Sequence, residues 1–255
     1  VIDTSGFAAL DREITRGLAG LEVGGTGATL KSMGVVAPWA MDDGRRDALE
    51  AIRAMDDGEY QDFLALGDDP PDEPPGREGL AFGDESPRPF TLAQQRLLEL
   101  RHGVYFPWRW CHHFIADGGW DDKHSGEGKG FSDDTRARFP QTCAFIRSLP
   151  FTEVGRAVLF GLGPHDHAPL HRDTEPGEAL AVAQSILFAP RPGKRFYLQN
   201  APDAAPLVVA RPVYWFNDMD YHGVLADPFF RYSIRVDGVF DRGFLRDLAH
   251  RARSA

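Results

Sequence analysis

From Val104 onward the chain breaks into short apolar runs separated by Gly, Pro and Asp, and from Arg156 to Val239 no helices alternate with them. That texture limits the fold more than any other feature. Apolar runs with turn signals at both ends mark strand candidates at residues 156–162, 180–189, 194–198, 206–216 and 230–239. Strands that follow one another without intervening helices exclude a βαβ fold and predict a β-sandwich or barrel. Residues 104–239 are therefore read as the β core of the chain. Residues 117–134, rich in Gly and charge, read as a loop near the mouth of a site.

The first 103 residues have a different pattern. Apolar positions recur at helical spacing over residues 7–18 and again over 45–66, where Leu49, Ile52, Met55, Tyr60, Phe63 and Leu64 form one stripe with a break near Asp57-Gly58. A third helix is predicted over 92–100, with Thr91 placed to cap it. Between them, residues 68–89 hold six prolines among acidic residues and glycines, an exposed loop by composition. This helical region is expected to buttress a sheet or form part of a lid. A short helix is predicted over 143–149, and residues 240–255 close the chain with an amphipathic one.

Within the β region, His171-Arg172-Asp173 is followed about fifty residues later by His222. Residues at i and i+2 of an extended segment point to the same side, so His171 and Asp173 can reach one ion while Arg172 points away. Two imidazoles and a carboxylate form the set that holds non-haem Fe(II) and leaves other positions open. The run 231–237 places Arg231, Ser233 and Arg235 on one strand face and Tyr232, Ile234 and Val236 on the other. Two guanidiniums on a buried strand need an anionic partner to offset their desolvation, and a carboxylate suits the planar fork of arginine. Arg231, with the Ser233 hydroxyl, is thus a candidate anchor for an oxoacid. The alternative for Arg231 is an edge strand whose polar face meets water.

Residues 139–237 resemble the aspartyl/asparaginyl β-hydroxylase-type family of Fe(II)- and 2-oxoglutarate-dependent oxygenases. The resemblance lies in Phe139-Pro140-Gln141-Thr142, Gly163-Pro164, His171-Arg172-Asp173, Trp215-Phe216-Asn217-Asp218, His222-Gly223 and the run from Arg231 to Asp237. It implies a double-stranded β-helix fold, with His171 and His222 as iron ligands and Arg231 on the co-substrate's distal carboxylate. Asp173 would complete the facial triad that some members of the family lack. Where members carry a basic residue on the strand after the first motif, this chain offers Gln184 and Ser185. The implied reaction uses Fe(II), 2-oxoglutarate and O2 to hydroxylate a C–H of an amino acid, an amino-acid derivative or a peptide side chain, with release of succinate and CO2. Arg235, Arg172, His165, His167 and Trp120 are candidate substrate contacts.

A rival reading is a cupin-type metal-binding protein using His165, His167 and His222 without an oxoacid. Gly163-Pro164-His165-Asp166-His167 resembles a cupin opening, although the expected glutamate is missing and Pro164 and Pro169 bend the segment. A third reading is a binding module with incidental histidines.

A net charge of −10 argues against a nucleic-acid partner. No apolar run approaches the roughly 18 residues needed to span a bilayer. The start, Val1-Ile2-Asp3-Thr4, lacks the regions of a signal peptide. Cys111 and Cys143 are the only cysteines, too few for a disulfide framework or thiolate metal site. The expected setting is the cytoplasm, and the expected partner is a small molecule or peptide.

Overall fold

The computed structural model describes residues 2–21, 48–68, 77, 90–104, 106, 110–115, 122–173, 185–217 and 219–252. Among the described residues, nine strands form two antiparallel sheets. The larger contains β1 (Trp110–His113), β2 (Phe151–Leu162), β9 (Arg231–Phe240), β4 (Ser185–Phe188) and β7 (Val213–Tyr214), in that order across the sheet. The smaller runs β3 (Ala168–His171), β8 (Tyr221–Val224), β5 (Phe196–Gln199) and β6 (Leu207–Val208). Two facing sheets whose strands alternate in this way make the jelly-roll expected from the sequence.

The central strand β9 is buried on both faces. Tyr232, Ile234 and Val236 face outward into an apolar layer with Ala157 and Leu159 of β2, covered by two helices. Those helices are α1 (Phe7–Ala19), which contributes Phe7, Leu10, Ile14 and Leu18, and α6 (Pro140–Ser148), which contributes Cys143 and Ile146. The Phe139-Pro140-Gln141-Thr142 motif is explained here. Phe139 gives α6 no side-chain cap, and the Glu13 carboxylate of α1 accepts instead from Gln141 N at 2.8 Å, Thr142 N at 2.7 Å and Thr142 Oγ1 at 2.8 Å. An anion at a helix N-terminus satisfies orphan N–H groups and opposes the helix dipole.

The second apolar layer lies between the sheets and includes Leu162, Ala168, Leu187, Phe196, Phe216 and Val224. A third cluster is built by α2 (Ala48–Ala54), α3 (Asp57–Ala65) and α4 (Leu92–His102), with Leu49, Ile52, Met55, Tyr60, Phe63 and Leu98 inside it. Its breaks and caps follow the expected chemistry. Asp56 caps α3 by accepting from Glu59 N, and Thr91 and Gln94 form a reciprocal capping box on α4. Gly103, at φ 68°, ends α4 in the left-handed region open to glycine.

Several boundaries differ from the expectation. The run 206–216 is two short strands in different sheets, because Pro212 cannot continue a ladder and the chain turns a corner. Helix α5 (Asp133–Arg138) begins inside the segment read as loop, with Ser132 as its N-cap. Strands β1, β3 and β8 are only four residues long and fell below the length at which alternation can be read. The tail forms α7 (Arg242–Ala252). Apart from Asp68 and Arg77, the proline-rich segment 68–89 lies outside the described residues, as do Trp120 and Gln184. Among the described residues no helix is long and apolar enough to cross a membrane.

Candidate metal centre

His171 ends β3 and His222 lies on β8, and the two are directly paired across the small sheet. A bulge in β3 makes this possible. Ala168 pairs with Val224 and His171 with His222, so three steps on β3 match two on β8. Bulges re-aim side chains in this way. Beside the pair, Gly223 admits a close approach: a Cβ there would fall 2.8 Å from Ala168 O and 2.6 Å from Tyr197 Oη.

Both imidazoles are oriented by the same device. His171 Nδ1 lies 2.6 Å from Pro169 O and His222 Nδ1 lies 2.8 Å from Asp220 O. A carbonyl can only accept, so each Nδ1 carries the proton and each Nε2 presents a lone pair to the centre. The two Nε2 atoms are each 3.6 Å from Asp173 Oδ1. Metal–ligand bonds of about 2.1 Å put neighbouring donors about 3.0 Å apart around an octahedral ion and about 3.4 Å apart around a tetrahedral one. All three donor atoms lie within 4.8 Å of one another, so the side chains draw inward to close on a divalent ion. Among the described residues this is the one cluster of His, Cys, Asp or Glu able to hold a metal. His165 and His167, the ligands of the cupin reading, are not part of this cluster. His165 is exposed in the turn before β3, with a left-handed φ of 65° and its N–H on Asp227 O.

The triad opens into a cavity of about 60 Å³ between the sheets, room for several water-sized groups. Phe160, Leu187, Phe196 and Phe216 make its apolar wall, while Lys194, Ser233 and Arg235 supply polarity. The rings of Phe216 and His222 have centroids 4.5 Å apart, so the imidazole is fixed by packing as well as by its hydrogen bond.

The residues singled out on β9 divide. Ser233 and Arg235 face the cavity, but the Arg235 guanidinium is engaged, donating to Asp173 Oδ2 and Asp237 Oδ1 at 2.8 Å each. Arg231 does not line the cavity. Its guanidinium donates to Gly163 O at 2.9 Å, Leu225 O at 2.9 Å, Phe229 O at 3.2 Å and Asp166 O, and its Nε lies 3.4 Å from Asp227 Oδ2. Carbonyls rather than an incoming carboxylate offset the desolvation of this charge. Arg172 turns away from the triad and stacks on Tyr221, 3.8 Å from its ring centroid. That contact ties β8 to the end of β3 from the outside.

Lys194 is the cavity residue that sequence reasoning missed. It precedes β5, and its Nζ donates to Ser233 Oγ. Burial, with a smaller contribution from the nearby Arg231 charge, pushes its ammonium down to about 7. The available signal was the Lys194-Arg195 pair that opens the short apolar run Phe196-Tyr197-Leu198, just after Gly193.

No known family model and no curated protein matches the chain. Solved structures give distant likenesses. An oxidoreductase of the 2OG-Fe(II) oxygenase family from Burkholderia pseudomallei is 13% identical over 49% of this chain, with a TM-score of 0.31. The match spans 66% of that protein. A prolyl-4-hydroxylase from Pseudomonas putida is 15% identical over 49% of this chain and 69% of its own, with a TM-score of 0.27. A cupin domain from Bordetella pertussis is 12% identical over 32% and 78%, with a TM-score of 0.24. The functional reading therefore rests on the geometry of the site itself.

Proposed function

We propose that the protein is a non-haem Fe(II)- and 2-oxoglutarate-dependent dioxygenase that hydroxylates a C–H of an amino acid, an amino-acid derivative or a peptide side chain. The observation that carries this reading is the convergence of two Nδ1-anchored imidazoles and one carboxylate oxygen on a cavity that is also lined by a half-buried lysine. Three protein donors on one side leave positions for a chelating oxoacid and O2. Iron bound there supplies the redox chemistry toward O2 that side chains cannot.

The chain's own residues then have distinct tasks. His171, Asp173 and His222 hold the ion with tautomers already set. Lys194, seconded by the Ser233 hydroxyl, takes the distal carboxylate of the oxoacid, the task the sequence resemblance assigns to Arg231. Phe160, Leu187, Phe196 and Phe216 exclude water from the chelate. The substrate is a small molecule or peptide rather than a nucleic acid, in keeping with the net charge of −10. Free Cys111 and Cys143 fit a reducing, cytoplasmic setting.

The test is anaerobic titration with Fe(II) and then 2-oxoglutarate, read by the weak visible charge-transfer band of the chelate. The band is expected in the wild type, and Lys194→Met is expected to need far more 2-oxoglutarate to reach it. Tight, stoichiometric metal binding without any band would sink the oxygenase reading and leave a metal protein without an oxoacid.

A further inference from the structure

Four charged side chains run in a line from β2 to the metal centre, alternating in sign. Arg156 Nε donates to Asp237 Oδ2 at 2.9 Å, Arg235 Nε donates to Asp237 Oδ1 at 2.8 Å, and Arg235 Nη1 donates to Asp173 Oδ2 at 2.8 Å. All four are withdrawn from water, with side-chain exposures of 5% or less. Burial alone would raise the Asp237 carboxyl, but the charges of Arg235, Arg156 and Lys123 outweigh it and hold the group below the usual carboxylate range. A buried array of this kind persists only when each charge is partnered. Asp237 thus fixes two planar guanidiniums at once, and the second of them reaches the metal ligand.

From this we infer that Arg235 is a positioning residue that restricts Asp173 to one-oxygen coordination, an inference that rests on the triad binding a metal. Asp173 Oδ1 faces both Nε2 atoms at 3.6 Å, whereas Oδ2 points the other way and is held by Arg235. A carboxylate free to rotate can close on an ion with both oxygens. It would then occupy a fourth position and leave an octahedral ion two instead of three. The bond from Arg235 keeps the third position open. The same bond balances the Asp173 charge before any ion arrives, so the carboxylate is preorganised while the cavity is empty.

The test uses Co(II) alone, with wild type, R235M and R235K. Affinity is read by competition with a chelator. Infrared difference spectra of protein labelled with ¹³C-carboxyl aspartate report how Asp173 binds, since the splitting between the two carboxylate stretches is wide for one-oxygen and narrow for two-oxygen coordination. The wide splitting is expected in wild type. R235M should narrow it and weaken Co(II) binding about 10- to 100-fold, the usual cost of losing such a supporting contact. R235K retains the charge but cannot serve Asp237 and Asp173 together, and should fall between the two. If R235M does not fold, R235K decides alone. Wild-type splitting and affinity in the folded variant would overturn the assignment of Arg235. If wild-type protein bound no Co(II), or H222A bound it equally well, the metal reading would fall, and this inference with it.

Discussion

The two sheets of the jelly-roll are built to opposite specifications. The larger is built on two long strands, with short β1, β4 and β7 beside them: β2 has 12 residues and β9 has 10, they pair along nearly their whole length, and β9 is buried almost throughout. The smaller is made of strands of four, four, four and two residues, with β6 exposed at its edge. Yet both histidines of the metal centre belong to the smaller sheet, while Arg235 and Ser233 reach the cavity from the larger. A rigid wall that carries charge holds one side of the site. A sheet of short strands offers the two histidines on the other, where an ion can draw the ligand side chains together.

The largest effect should come from removing a clamp of the larger sheet. Arg231→Ala removes the donor from the Gly163, Asp166 and Leu225 carbonyls, while Asp227 keeps Arg195, and losing a buried charge that holds several partners costs about 3–5 kcal/mol. For a chain of this size that corresponds to a fall of about 10 °C in the thermal midpoint. An unchanged midpoint would break the contrast between the sheets. His222→Ala, on the smaller sheet, should do the reverse: the midpoint of the metal-free protein stays within a few degrees, while Co(II) affinity drops by more than about 100-fold, beyond the range of supporting contacts.

Lys194→Met comes next. A charge-assisted hydrogen bond of about 1.5–3 kcal/mol predicts a loss of about 10- to 100-fold in 2-oxoglutarate affinity, measured by the chelate band, with metal affinity retained. The same lysine sets a pH dependence. In the proposed function its protonated form binds the anion, and burial holds its pKa down to about 7. Affinity should therefore be steady below pH 7 and weaken as pH rises above it, by up to about tenfold per unit. Protonation of the unfolded lysine persists to its ordinary value of 10.5, so the folded apo-protein binds fewer protons between about pH 7 and 10.5. This group thus makes the apo-protein more stable as pH rises through that window. The smallest effect belongs to the exposed edge: Leu207→Asp on β6 should change stability by no more than about 0.5 kcal/mol. A larger loss there would show that β6 is covered by something.

What was legible in the sequence follows the same division. The alternation of residues 231–237 was readable because a long strand between two apolar layers repeats its pattern often enough to be recognised. The triad was readable through its i, i+2 spacing. The four-residue strands that carry the histidines were not, since periodicity needs length. Nor could sequence decide between two arginines four residues apart on one strand face. Whether each meets a carbonyl, a carboxylate or a ligand depends on the turn at 163–166 and the loop at 225–229, which approach β9 only in the folded chain. Lys194 was hidden for a similar reason: its burial is set by β9 on the opposite sheet.

The bulge in β3 has a consequence beyond local geometry. Strand alternation works like a reading frame of two, and the extra residue between Ala168 and His171 shifts that frame once. Upstream of the shift, Ala168 faces the cavity; downstream, His171 and Asp173 do. In an unshifted frame Leu170 would oppose His222, and both His171 and Asp173 would point out of the cavity. The two ligands therefore share one fate, decided by a single backbone residue that touches neither the ion nor the substrate.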